Sequence, residues 1–143
     1  MTGVPANGSA YRIRHLALEV ADLEKAVAFY RTVFGMKVLR RRANPDRNDV
    51  AAYVGYGDES SEVSIELYQF LGVPTLPQLP SRSHVAIAVT HIETFFDRAV
   101  AAGAMAQVRP QNNRPGSANK FAFIFDPDGH EIELTESAMG GRG

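Results

Sequence analysis

The feature that most constrains this chain is an internal repeat. His15 and His84, Gly35 and Gly103, and Glu66 and Glu133 form three pairs, each separated by about 68 residues. Both halves read strand, helix, strand, strand, strand. A chain built twice on one pattern has to bury the same apolar face twice.

In the first half, Tyr11 to Val20 alternates as a strand, with Ile13, His15, Ala17 and Glu19 on one face and Leu16, Leu18 and Val20 on the other. Asp22 is an N-cap for a helix that carries Leu23, Ala26, Val27, Tyr30, Val33 and Phe34 at helical spacing and stops at Gly35. Strands are predicted from Met36 to Arg42, from Asp49 to Tyr56 and from Val63 to Phe70. The second half begins with a strand from Ser83 to Val89. Thr90 and Glu93 form a capping box for a helix that ends at Gly103. A strand from Met105 to Arg109, a polar loop from Gln111 to Ala118 and a strand from Lys120 to Phe125 follow. Asp126-Pro127-Asp128-Gly129 fits a type I turn, and the alternating run from Glu131 closes the half.

These boundaries predict a flexible N-terminus at 1–10, a first βαβββ module at 11–71 and a linker with three prolines at 72–81. A second βαβββ module at 82–136 and a flexible tail at 137–143 complete the chain. The expected class is α+β, with the two modules forming a curved mixed sheet around a metal site.

The phase of the strands carries the functional argument. In each half the histidine and the glutamate lie on the face opposite the Val/Ile/Leu set, and the helix must cover the apolar face. Two imidazoles and two carboxylates are therefore expected on the concave side, within an edge-to-edge pairing of halves or across a dimer axis. A His2Glu2 set suits one divalent ion such as Zn, Ni, Co, Fe or Mn. His91, at a helix start, and His130, beside a turn, lack the repeat and read as surface residues.

Composition narrows the classes. The formal net charge of −1 points to neither nucleic acid nor an anionic membrane as partner. No apolar run approaches a membrane span, and the first ten residues lack the apolar core of a signal peptide. The absence of cysteine excludes a thiolate nucleophile or a thiolate metal site and permits a cytoplasmic address.

Several stretches resemble a known superfamily. They are His15 to Leu23 (HLALEVADL), Phe29 to Arg40 (FYRTVFGMKVLR), Tyr53 to Glu59 (YVGYGDE), Ile65-Glu66-Leu67, His84-Val85-Ala86, and Asp126-Pro127-Asp128-Gly129 with Ile132-Glu133-Leu134. The chain resembles the vicinal oxygen chelate superfamily, and within it the bacterial glyoxalase I branch. That resemblance implies a homodimer whose metal is held by His15 and Glu66 of one chain with His84 and Glu133 of the other. It also implies isomerisation of the hemithioacetal of methylglyoxal and glutathione to a lactate thioester, with Glu133 as principal base and Glu66 as its partner.

Two positions depart from the branch. Glu19 stands where an arginine receives a carboxylate of glutathione, and Glu66-Leu67-Tyr68-Gln69-Phe70 lacks the asparagine expected after the glutamate. Like charges at close range repel, so the substrate is expected to be a small molecule, with thiol adducts other than that of glutathione among the candidates. Arg109, Arg114 and Lys120 offer an alternative hold on an anion. The competing readings are a thioester epimerase, an Fe(II) extradiol dioxygenase and a metal-free small-molecule or antibiotic-binding protein.

Overall fold

The computed structural model describes residues 11–72 and 83–137. The expected linker and both expected flexible ends lie outside the described residues, apart from Gly72 and Ser137. The element order is β1 (His15–Glu19), α1 (Leu23–Phe34), β2 (Lys37–Asn44), β3 (Asp49–Gly55), β4 (Ser64–Phe70), β5 (His84–Ala88), α2 (Ile92–Ala101), β6 (Met105–Asn112), β7 (Lys120–Phe125) and β8 (Glu131–Glu136). The strands form two four-stranded sheets, ordered β1-β4-β3-β2 and β5-β8-β7-β6. β1 runs parallel to β4 and β5 runs parallel to β8, while the remaining ladders are antiparallel.

Each sheet is covered by its own helix on one face. Helix α1 turns Leu23, Ala26, Val27, Tyr30, Val33 and Phe34 inward. They pack with Ala52, Val54, Ile65 and Leu67 of the first sheet. In the second half Ile92, Phe96 and Ala99 meet Ala122, Ile124, Ile132 and Leu134. Leu67, Ile124, Ile132 and Leu134 are fully buried, and each such side chain contributes roughly 1.5–3 kcal/mol by leaving water. Both buried sets belong to one continuous core, and the rings of Phe34 and Phe95 join the two helices at 5.5 Å.

Local chemistry explains the helix ends. Asp22 caps α1 by accepting from the Lys25 amide, and Gly35 closes it at φ 65°, in the left-handed region where a side chain costs strain. The capping box expected at α2 does not form. His91 occupies the N-cap position at φ 53° without a side-chain cap bond. The Glu136 carboxylate, from the end of β8, accepts from the His91 and Ile92 amides instead, and Glu93 pairs with Lys120. An acceptor delivered by the fold has displaced the one next door in sequence.

Two further expectations are corrected. The polar loop begins later than expected, because β6 continues through Pro110, Gln111 and Asn112 with register shifts beside Val108; bulges let a strand carry a proline without losing the ladder. His130 is no surface residue: it is half-buried and its Nε2 contacts the Glu19 carbonyl at 2.6 Å.

The Asp126-Pro127-Asp128-Gly129 turn ties the halves together. Its Gly129 amide bonds the Asp126 carbonyl at 3.0 Å. Asp126 is fully buried; its Oδ1 accepts from the Asp128 and His130 amides, each at 2.9 Å. Its Oδ2 accepts from the Tyr30 hydroxyl at 2.7 Å, and Asp128 accepts from the Ala21 amide at 2.9 Å. Burial and then Asp126 push the Tyr30 hydroxyl far above its ordinary range, so it stays a donor. We expect Tyr30→Phe or Asp126→Asn to cost about 1–3 kcal/mol in urea unfolding, since each leaves a buried group short of a partner. Unchanged midpoints for both would show that this bond does not tie the halves.

A candidate site in two halves

The strand register brings one histidine and one glutamate together in each sheet. In the first sheet His15 pairs with Ser64, and Ala17 with Glu66, along the parallel β1–β4 ladder. The His15 Nε2 lies 3.0 Å from the Glu66 Oε2. In the second sheet His84 pairs with Glu131, and Ala86 with Glu133. The His84 Nε2 lies 3.2 Å from the Glu133 Oε2. Each imidazole stands edge-on to the aromatic residue opposite its glutamate: His15 to Tyr53 at 5.3 Å, and His84 to Phe123 at 5.2 Å. The equivalence follows from a side-chain period of two on strands that share one topology.

The two pairs differ in what surrounds them. Glu66 is buried. Arg42 of β2 reaches it with one guanidinium nitrogen at 2.5 Å from Oε1, places another 2.7 Å from the Asp49 Oδ1, and sets its Nε 3.3 Å from the Tyr53 hydroxyl. Arg47 approaches the other oxygen of Asp49 at 3.5 Å. Burial pushes the Glu66 carboxyl up, but the Tyr53 hydroxyl, Arg42 and His15 together outweigh it and hold the group below its ordinary range. Hydrogen bonds that the Arg42 guanidinium donates to Asp49, Tyr53 and Glu66 raise it above its ordinary range.

Glu133 is only half-buried, and among the described residues its ion pair is with His84. The opposite nitrogen of that ring, Nδ1, meets the Glu131 Oε1 at 3.2 Å. Glu131 in turn accepts from the Gln107 side-chain amide at 3.1 Å. The residues that sequence reasoning missed are therefore Arg42, Asp49, Tyr53 and Glu131. Tyr53 and Glu131 share the phase of the histidine–glutamate face and could have been read from it. Arg42 could not, because a register shift between Val38 and Arg40 resets the phase of β2.

Within one chain, no three of the described histidine, aspartate and glutamate side chains converge in a geometry able to hold a metal ion. His15 with Glu66 and His84 with Glu133 thus stand as separate pairs on separate sheets, with β1 and β5 at sheet edges. Between these two strands lies a cavity of about 290 Å³ lined by Ala17, Glu19, Tyr68, His84, His130 and Glu131. Burial, and after it Glu19, pushes the Tyr68 hydroxyl up. Arg109 and Lys120, candidates for an anion hold, pair instead with Asp97 and Glu93 of α2, on the helix-covered side. His91 is exposed beside the start of α2.

Known proteins share both the sequence and the architecture. The family model of the Glyoxalase/Bleomycin resistance protein/Dioxygenase superfamily matches residues 12–134. A lactoylglutathione lyase of Salmonella typhimurium is 37% identical over 132 residues, covering 92% of this chain and 97% of that protein. The crystal structure of glyoxalase I from Zea mays superposes with a TM-score of 0.77 at 31% identity, covering 87% of this chain and 44% of that one. This chain therefore spans less than half the length of the maize protein. A trypanothione-dependent glyoxalase I of Leishmania major gives a TM-score of 0.76 at 28% identity, covering 91% of this chain and 89% of that one. No helix among the described residues is long and apolar enough to cross a membrane. The duplicated fold, the family match along nearly the whole chain and the relatives above 30% identity together place this chain in the glyoxalase/bleomycin resistance protein/dioxygenase superfamily, as a glyoxalase I-like enzyme.

Proposed function

We propose that this protein is a metal-dependent lyase of glyoxalase I type that converts a 2-oxoaldehyde hemithioacetal to a 2-hydroxyacyl thioester. The observation that carries the reading is the pair of His–Glu contacts, 3.0 and 3.2 Å, at equivalent register in the two sheets. Ligands about 2.1 Å from one ion and at right angles to each other stand about 3 Å apart, so each pair has the spacing of two adjacent ligands. Imidazole nitrogen and carboxylate oxygen suit Zn, Ni, Co, Fe or Mn, in the manner of other mixed nitrogen and oxygen sites. His15 and Glu66 from one chain with His84 and Glu133 from a second copy would complete the set. A homodimer would bring the two pairs together, since among the described residues of one chain no three donors converge.

The bound ion would supply Lewis-acid polarisation of the substrate oxygens and stabilise charge that develops there. The protein's own task is to move a proton from the carbon beside the carbonyl to its neighbour. Glu133 is suited to it: half-buried and clear of any guanidinium among the described residues, it can exchange protons with a carbon above it. Glu131, on the Nδ1 side of His84, would orient the ring so that Nε2 faces the ion. Glu66, gripped by Arg42, is the poorer shuttle and the steadier ligand.

Glu19 shares the face of His15 and reaches the cavity beside Tyr68 and His84. A carboxylate there disfavours an anionic thiol at that point, and the Leishmania major relative is trypanothione-dependent. A thiol adduct that is neutral or cationic near Glu19 fits this site better than one that is anionic.

Three outcomes test the proposal. Purified protein loaded with Ni(II), Co(II), Zn(II) or Mn(II) should turn over a methylglyoxal hemithioacetal, and an uncharged thiol should raise kcat/KM relative to glutathione; no turnover with any pairing would refute it. Glu133→Gln should lower kcat by about 10²–10⁴-fold while the dimer and its circular dichroism persist. A variant lacking His15 and Glu66, mixed with one lacking His84 and Glu133, should regain activity as heterodimers with one intact site. Failure to complement under conditions that exchange subunits would place the ligands differently.

A further inference from the structure

Asp49, a buried charge, and the half-buried Arg42 that it holds have no part of their own in the proposed proton transfer. We propose that they form a positioning device: Asp49 anchors Arg42, and Arg42 holds one oxygen of Glu66 so that only the other faces His15 and the metal. This rests on reading Glu66 as a metal ligand.

Geometry carries the argument. The Asp49 side chain is fully buried, while that of Arg42 retains 22% exposure. One guanidinium spans three groups, with the Asp49 Oδ1 at 2.7 Å, the Glu66 Oε1 at 2.5 Å and the Tyr53 hydroxyl at 3.3 Å. A planar fork held at three points cannot rotate without giving up a charge-assisted bond. With Oε1 committed to Arg42, the Oε2 that lies 3.0 Å from the His15 Nε2 is the oxygen left for an ion. Glu66 would therefore bind through one oxygen, in one orientation.

Among the described residues, the equivalent glutamate of the second half, Glu133, pairs with His84 and has no guanidinium beside it as Arg42 stands beside Glu66. Phe123 lies opposite Glu133, as Tyr53 lies opposite Glu66, and it has no hydroxyl. The repeat thus keeps the donor pair and changes its support. One glutamate is pinned and the other is left able to move, which is the division of labour a proton shuttle beside a fixed ligand requires.

An arginine near a ligand could instead grip an anionic group of the substrate. The two roles separate by experiment. Arg42→Gln removes the clamp, Asp49→Asn loosens its anchor, and Tyr53→Phe trims one contact while keeping the ring, as Phe123 does naturally. Cobalt(II) alone is the probe, with affinity read by chelator competition and coordination by the visible spectrum. The clamp predicts affinity about 10–100-fold weaker in Arg42→Gln and Asp49→Asn, as for other residues that orient a ligand. A severalfold loss in Tyr53→Phe, an altered cobalt spectrum, and a lower kcat with KM unchanged should accompany it. Should Arg42→Gln or Asp49→Asn fail to fold by circular dichroism, Tyr53→Phe decides. Unchanged cobalt affinity with a raised KM would overturn the clamp, make Arg42 a substrate contact and leave the metal reading standing. A wild-type protein that takes up no cobalt would overturn both.

Discussion

Each sheet here has one helix, and a helix covers only one of a sheet's two faces. Every other feature of the site follows from that restriction. Ala52, Val54, Ile65 and Leu67 in the first half, and Ala122, Ile124, Ile132 and Leu134 in the second, lie under their helices. Because successive side chains on a strand point to opposite faces, the residues between them are forced onto the uncovered side. His15, Tyr53 and Glu66 are such residues, and so are His84, Phe123 and Glu133. The core and the polar face are the two sides of the same pleat.

Duplication supplied two half-sites of one shape, and divergence then altered their electrostatics. The first half surrounds its glutamate with Arg42, Asp49 and Tyr53. The second places its extra carboxylate, Glu131, on the far nitrogen of His84. In the first half the support acts on the carboxylate; in the second it acts on the imidazole.

Much of this was legible before any coordinates. The repeat announced itself in His15 and His84, and the alternation of Ile65-Glu66-Leu67 and Ile132-Glu133-Leu134 set which way the glutamates point. The caps at Asp22 and Gly35 were equally plain, since their chemistry acts within a few residues. What escaped was chemistry carried across the fold. Thr90 and Glu93 have the spacing of a capping box, yet Glu136 reached the α2 amides first. His130 looked like a turn residue, yet it touches the carbonyl of Glu19 in the other half. Arg109 and Lys120 looked free to meet an anion, yet α2 offered them Asp97 and Glu93.

By itself the sequence determined the faces: which side chains share a side of each strand, and that the two halves repeat. Periodicity is local, and a period of two is written in every alternating run. Only the tertiary structure decided the neighbours. It paired Arg42 with Glu66 across a bulged strand, locked Tyr30 onto Asp126 between halves, and kept the two histidine–glutamate pairs apart within one chain. Those outcomes depend on register, sheet order and the packing of one half on the other, and these arise from contacts between residues far apart along the chain.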